Sequence, residues 1–374
     1  MKILIIGGYG TFGKRLVNSL LYYRDHQIVI GGRSKEKLAK ARHMIRVSMN
    51  SVIDTVELDV LNSDLVKTFA HIEPDLVVNV SGPYQLQTMQ ETYRVAKACL
   101  NTGCHYVDLA DDRKFVGNFA RQLNDEAKQN ELVMVTGAST VPALTDAVIT
   151  HYEPQFKSIN SIYYGISPGN RTERGKGTVG SILSYTGKPF DTLINGDFRQ
   201  VYGWQDLTRY DFGGSIGKRW MSNCEIPDLD LIPALYPEIK SVRFQAGLEV
   251  SLLHLGLWLL SWFPRLKLIK TWRTFTNVLV AMSEWFKSWG SDCGGMFIEL
   301  GGVGDNGETK KAVWQLVAED GVGPNVPTIA AELVVNKIAN GELGAGAYPC
   351  TGLFTLEEFL ILAGRWGIYQ REIK

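Results

Sequence analysis

Short apolar runs alternate, over the first 140 residues, with stretches whose apolar positions recur every three or four. Lys2–Ile6 holds four apolar residues out of five, the pattern of a strand buried on both faces. Lys14–Leu21 places Leu16, Val17, Leu20 and Leu21 at helical spacing. A second strand is expected at Gln27–Ile30, and a third in residues 51–60, ending at Asp59 and Val60. A helix through Leu65–Ala70 follows. A fourth, apolar strand stops at Ser81-Gly82-Pro83-Tyr84, and a long helix runs on to about Asn101. A fifth strand ends in Asp108–Asp112, a helix covers Arg113–Gln129, and a sixth strand ends at Thr136-Gly137-Ala138-Ser139.

Strands that alternate with helices in this way imply an α/β fold, a doubly wound parallel sheet of the Rossmann type. From about Pro142 the pattern changes. "SINSIYYGIS", "SVRFQAG" and "KKAVWQLVAED" read as strands of a mixed sheet in a second α+β domain, with Gly- and aromatic-rich stretches between them. Near the end, "PTIAAELVVNKIANGEL" is a helix, with Pro327 near its start and Gly341 close to its stop. The expected division is 1–140 plus about 324–374 for the first domain and 141–323 for the second.

The turn between the first strand and the first helix is "GGYGTFG". In a strand–turn–helix context, glycines so spaced are a phosphate cradle. Gly8 would allow the tight turn, Gly10 would let backbone approach a pyrophosphate, and Gly13 would let the helix pack on the strand. Gly7, Gly8, Gly10, Thr11, Phe12 and Gly13 are the expected cofactor contacts here. At the end of the second strand a site selective for NAD usually carries an acid that accepts from the ribose 2′-OH. This chain has Gly31-Gly32-Arg33-Ser34, then Lys35 and Lys37. A guanidinium beside a hydroxyl suits a 2′-phosphate, so the expected cofactor is NADP(H); a solvated basic helix start is the bland alternative. Asp59, Val60, Ser81, Gly82 and Pro83 complete the expected cofactor rim, because ligands lie beyond the carboxyl ends of such strands.

Composition excludes several partners. Lys+Arg and Asp+Glu both number 39, so nothing in the net charge points to nucleic acid. The five cysteines are scattered, odd in number and never spaced C-x-x-C. That fits reduced thiols in a cytoplasmic protein with no metal site. With a strand beginning at Lys2, no ordinary signal peptide is expected.

Several stretches together resemble the saccharopine dehydrogenase-like family of oxidoreductases. They are "GGYGTFG", "IGGRSKEKL", "VVNVSGPY" with "VAKACLNTGCHYVDLADD", and "VTGASTVPALTDAVI", with "GKGTVGSIL" and "PTIAAELVVNKIANGEL" in the carboxyl half. The resemblance implies an NADP-type Rossmann domain followed by an α+β substrate and dimerisation domain. Two departures fall on the presumed substrate rim. Asp111-Asp112 stands where many relatives have Gly-Glu, and Ser139-Thr140 where they often have Asp-Ser. These leave the cofactor assignment intact and put saccharopine chemistry itself in doubt.

Candidate chemistry is less marked. Tyr84, at a strand end, could shape the nicotinamide pocket, donate a proton, or simply pack. Asp111 and Asp112, with Asp108, offer rim carboxylates for acid–base work or for a substrate amine; Asp108 could instead cap a neighbouring helix. Tyr93 and Lys97 sit at i and i+4, a spacing some dehydrogenases use for proton transfer, but on a helix earlier than those enzymes place it; a structural role is expected. Ser139 and Thr140, with Arg171, Arg174 and Lys176 in a Gly-rich loop, are the expected substrate contacts; a solvated basic loop is the alternative for the last three.

The segment 250–289 is the most unusual. Residues 250–263 carry no formal charge apart from His254, and a helix of that length spans roughly 21 Å, short of the ~30 Å of a bilayer core. It does not span. Arg265, Lys267, Lys270 and Arg273 then interleave with Trp272 and Phe275. Buried core, a dimer interface, a pocket for an apolar substrate tail and a membrane-surface helix all stay open, and His254 is expected to be a satisfied core histidine. The leading expectation is an NADP(H)-dependent oxidoreductase, a homodimer, that transfers hydride to or from a carbonyl, imine or activated alkene. The rival is a non-catalytic NADP(H) sensor or lipid-associated scaffold.

Overall fold

The computed structural model describes residues 1–23, 25–49, 52–82, 84–86, 91–173 and 175–373, leaving aside the side chains of 47–49, 86, 176 and 373. The chain divides into two compact units: 1–143 with 324–354, and 144–323 with 355–374.

In the first unit, β1 (Lys2–Ile6), β2 (Gln27–Gly32), β3 (Asp54–Glu57), β4 (Leu76–Asn79), β5 (His105–Asp108) and β6 (Val133–Thr136) form one parallel sheet. A seventh strand, Gly346–Pro349, joins beyond β6, and the order is Gly346–Pro349, β6, β5, β4, β1, β2, β3. Helices α1 (Gly13–Leu20), α2 (Lys35–Met49), α3 (Leu65–Ile72), α4 (Arg94–Thr102) and α5 (Arg113–Gln129) connect the strands, and a later helix, Val326–Ala339, returns to this unit and meets α1. The doubly wound sheet is the one the alternation predicts. β1 lies at its centre, with Ile3 paired to Ile28 on one side and Leu76 on the other. Ile3 to Ile6 are buried, which is why this strand has no polar alternation. The chain leaves β1 toward β2 and β3 on one side and toward β4, β5 and β6 on the other. The carboxyl ends of β1 and β4 therefore flank the switch point where a doubly wound sheet opens a crevice.

Two local expectations are corrected. The third strand ends at Glu57 rather than Val60, because the Asp59 carboxylate accepts from the Leu61 backbone N–H at 3.0 Å and closes a turn. The long helix after β4 begins only at Arg94, since Tyr93 ahead of it takes a left-handed φ of 62°, outside helical geometry.

The second unit is built on a mixed sheet, as expected. Its strands are β7 (Ser158–Ser167), a β8–β9 hairpin (Pro189–Ile194, Asp197–Tyr202) forming a small sheet of its own, β10 (Thr208–Asp211), β11 (Lys218–Asn223), β12 (Ser241–Leu248), β13 (Gly294–Val303) and β14 (Thr309–Ala318). The main sheet runs β10, β11, β12, β7, β13, β14 and then Tyr369–Ile373; only β12 and β7 are parallel. That last strand corrects the expected boundary: residues 355–374 belong to the second unit because Tyr369–Ile373 pairs antiparallel with β14. Helices α6 (Thr145–Tyr152), α7 (Lys176–Tyr185), α8 (Asp228–Leu235), α9 (Ser251–Arg265) and α10 (Thr276–Glu284), with a further helix at Leu356–Gly364, belong to this unit. Among the described residues no helix is long and apolar enough to cross a membrane.

Candidate cofactor site

The glycine loop joins β1 to α1. Gly7, not Gly8, carries the positive φ (83°) that turns the chain, and its N–H donates to the Gly31 carbonyl at 2.8 Å, tying the loop to β2. Gly8 is needed for space instead, since a Cβ there would lie 2.4 Å from Ile30 Cγ2. A Cβ on Gly13 would sit 2.2 Å from the Gly7 carbonyl oxygen and 2.7 Å from Gly8 Cα, so helix and loop touch backbone to backbone. Among the described residues the only atom close to a Cβ on Gly10 would be the Gly7 oxygen, at 3.1 Å, so its other side is open to them. No side chain caps α1, and its first turn holds no acid. The Lys14 and Arg15 amides already donate to the Gly10 and Phe12 carbonyls at 3.0 and 3.1 Å, so it is the positive end of the α1 dipole, beside a face that any side chain on Gly10 would fill, that fits a pyrophosphate.

The end of β2 lies beside this loop. Tyr9, between the glycines, covers Gly32 so closely that a Cβ there would be 2.3 Å from Tyr9 Cε1. The Ser34 amide faces the Tyr9 hydroxyl at 3.4 Å, and Lys37 Nζ stands 6.0 Å from the ring centroid. Ser34 Oγ accepts from the Lys37 amide at 3.3 Å and starts α2. Arg33 is exposed. It is close enough to Asp59 to be one of the charges that, after hydrogen bonds from Leu61 N–H and Asn62, lower the Asp59 pKa. Tyr9, Arg33, Ser34 and Lys37 thus form a basic corner, and the Asp59 carboxylate beside it is already committed to Leu61 and Asn62.

The rim beyond β4, β5 and β6 is tied by buried polar bonds. Asn79 Oδ1 accepts from Ser81 N at 3.1 Å and from Ser81 Oγ at 2.5 Å. The Tyr84 hydroxyl donates to the Asn79 carbonyl at 2.6 Å, and burial pushes the phenol's pKa well above its usual value. Tyr84 therefore braces the β4 turn, its proton spent on the backbone. Tyr93 donates in the same way to the Phe115 carbonyl, at 2.6 Å, the structural role expected for it. Asp112 caps α5 through Phe115 N–H at 2.7 Å. Asp108 is fully buried; one oxygen accepts from Ala110 N, Thr136 Oγ1 and Gly137 N, each at 2.9 Å, and the other has no hydrogen-bond partner within normal distance among the described residues, with the Tyr106 hydroxyl nearby. Burial raises its pKa to about 6. Asp111 is half-buried and accepts from Gln85 Nε2 at 2.8 Å; burial raises its pKa too. Ser139 and Thr140 are about nine-tenths buried in the turn after β6.

The sequence model described as the saccharopine dehydrogenase NADP binding domain matches residues 3–135, the span that holds this loop, corner and rim. These residues belong to that family of NADP-binding domains. Over the full length, saccharopine dehydrogenase (L-Glu forming) from Saccharomyces cerevisiae has a similar fold, with TM-score 0.67 and 14% identity, covering 100% of each chain. A meso-dapdh variant from Clostridium tetani, solved with DAP, aligns at TM-score 0.47 and 12% identity over 96% of this chain and 95% of that one. No curated protein matches by sequence.

Within the NADP-binding domain, Gly7, Gly8, Gly10, Thr11, Phe12, Gly13, Arg33 and Ser34 all lie in the loop or the corner. Val60 and Ser81 line one small cavity with Asn79, Tyr93 and Arg94. Pro83 lies outside the described residues. Three participants escaped sequence reasoning. Tyr9 carried a signal, being the one aromatic between the loop's first glycines. Asn79 carried a weaker one, as a polar residue closing an apolar strand, and Gln85 carried none.

The second unit holds the remaining expected contacts. Arg171 is exposed, and its guanidinium donates to the Ser288 carbonyl at 3.3 Å while its amide donates to the Ser291 carbonyl at 2.8 Å. Arg174 lies outside the described residues, and of Lys176 only the backbone, at the first residue of α7, is described. His254 is a core histidine. Its Nδ1 accepts from Leu248 N–H at 3.2 Å, which leaves Nε2–H to donate to Ser222 Oγ at 2.9 Å. Burial lowers its pKa to about 4, so the ring stays neutral.

Proposed function

We propose that the protein is an NADP(H)-dependent oxidoreductase that moves hydride between its cofactor and a carbonyl, imine or activated alkene. The observation that carries this reading is the open glycine cradle joined to an end of β2 that carries Arg33 and Ser34 where an acid would mark NAD. When bound, the nicotinamide supplies the hydride donor or acceptor. The chain's own part is to hold and orient. The glycine loop and the amino end of α1 take the pyrophosphate, Arg33, Ser34 and Lys37 take the 2′-phosphate, Tyr9 walls the corner, and Asp59 and Val60 edge the adenine side. For proton movement we assign Asp111. Asp112, Tyr84 and Tyr93 are engaged by backbone groups, whereas among the described residues the Asp111 carboxylate accepts from the Gln85 side chain, and burial raises its pKa above the ordinary carboxylate value, the direction that favours holding a proton.

Single-turnover mixing of the NADPH complex with a panel of carbonyl, imine and enoyl compounds tests this. Oxidation by at least one class is expected, slowed on the order of a hundredfold by Asp111→Asn with NADPH affinity unchanged. No oxidation by any class would transfer the weight to a sensor that binds NADP(H) without consuming it. The commitment of both rim tyrosines to backbone carbonyls is what favours that second reading.

A further inference from the structure

The segment 251–289 of the second unit is inside out. α9 is among the most apolar helices of the chain, yet its buried residues are His254 and Ser261, and α10 buries none. Leu266 and Leu268 are 61% and 67% exposed, and Trp285 and Trp289 are 75% and 65% exposed. The leucines are not on a loose end. Lys267 N–H donates to the Pro264 carbonyl at 3.0 Å and Leu268 N–H to the Phe263 carbonyl at 2.9 Å, so an ordered turn holds them out. Ring contacts Phe263–Trp272 and Trp272–Phe275, both with centroids at 5.6 Å, continue the apolar surface from α9 toward α10. Cations run through the same surface: Arg265, Lys267, Lys270, Arg273 and Lys287, against one acid, Glu284.

We propose that this face docks on an anionic lipid bilayer, seating the leucines and tryptophans at the level of the headgroups while the cations meet lipid phosphates and carboxylates. Charge decides among the possible occupants. A second copy pairing through the same face across a two-fold axis would set five cations and one acid against their own duplicates. Lys287 pairs with Glu284 at 3.4 Å and Arg265 donates to Gln205, so Lys267, Lys270 and Arg273 are the cations an anionic leaflet neutralises, and aromatic and long cationic side chains with apolar bodies are suited to a boundary that is greasy on one side and wet on the other. A helix this short lies in the interface and does not cross it.

Co-sedimentation of the full chain with vesicles, with and without phosphatidylserine, tests the proposal. Binding is expected to phosphatidylserine vesicles and to fall as salt rises. Lys267→Glu with Lys270→Glu changes four charge units and should weaken it about a hundredfold or more. Leu266→Ser with Leu268→Ser should weaken it roughly tenfold or more. All four positions are exposed, and an unchanged NADPH affinity and thermal transition certify that the variants are folded. Equal binding to phosphatidylcholine alone overturns the charge argument. Absence of binding overturns the proposal: a two-chain particle in light scattering, split by the leucine variant, would assign the face to a second copy, and a single-chain particle would leave it without a lipid role.

Discussion

Arg33→Ala is the sharpest probe of the cofactor corner. Arg33 is exposed at the end of β2 and shares its surroundings with Asp59, Ser34 and Lys37. Ser34 also starts α2, so replacing it would disturb the helix as well as the ligand, whereas Arg33 supplies charge without a cap. A hydrogen bond from a guanidinium to a phosphate contributes about 1.5–3 kcal/mol, and exposure places this one at the lower end because solvent screens it. About 1.5 kcal/mol is roughly a tenfold change in Kd. Removing the cation also leaves the Asp59 carboxylate less neutralised beside the incoming phosphate, which pushes in the same direction. Titration by nicotinamide fluorescence should show NADPH weakened about ten- to thirtyfold and NADH changed by less than about twofold. The wild-type preference itself should shrink as salt rises, since an exposed pair is screened within about 10 Å at 0.1 M. Equal weakening of both nucleotides, or a wild-type protein that binds NADH as tightly as NADPH, would refute the assignment of the 2′-phosphate to this corner.

The glycines should separate folding from binding. Gly13→Ala drives a Cβ against backbone atoms of the loop, with an expected loss of about 3 kcal/mol in denaturant unfolding of the first unit. Gly10→Ala meets only the Gly7 oxygen, so it should cost under about 1 kcal/mol of stability yet weaken NADPH at least tenfold; equal destabilisation by the two would contradict the open-face reading. Asp108, with a folded pKa of about 6 against 3.8 unfolded, keeps between those values a proton that the unfolded chain has released. The first unit should therefore lose about 3 kcal/mol as pH rises from 4 through 6, a slope that Asp108→Asn removes; an unchanged slope in far-UV unfolding of the variant would exclude Asp108 as its source. His254 acts the other way. Its folded pKa of about 4 lies below the ordinary 6.5, so its share of stability is full above 6.5 and is lost as pH falls toward 4. All nine tryptophans lie in the second unit, and Trp204 packs 5.1 Å from the His254 ring. Tryptophan fluorescence should thus report acid loosening of the second unit alone, and a fluorescence transition insensitive to pH between 4 and 6.5 would contradict the neutral, buried imidazole.

What could be read before folding, and what could not, divides along physical lines. The parallel sheet and its cradle were legible because β1 and β4 are apolar on both faces and the glycine spacing is set by a strand turning straight into a helix. Which glycine takes the positive φ was not legible, because Gly8 is fixed by Ile30 on a neighbouring strand, a contact with no local signature. The seventh strand, Gly346–Pro349, and the closing strand Tyr369–Ile373 were missed because four or five residues hold too little periodicity to declare themselves. β13 was missed because its glycines, packed against β7 and Phe212, read as loop. Proton donors were the least legible. A tyrosine looks available until the carbonyl that takes its proton is known, and for Tyr93 that carbonyl belongs to Phe115, 22 residues on. In the segment 251–289 the apolar periodicity correctly specified a helix and said nothing about which face is buried. The buried positions of α9 are a neutral histidine and a serine, each held by hydrogen bonds, Ser222 to His254 and Gln205 and Trp258 to Ser261. Those bonds satisfy the polar groups inside the unit and turn the leucines outward. The exposed apolar face thus follows from where the hydrogen-bond partners lie, information that enters only with the tertiary fold.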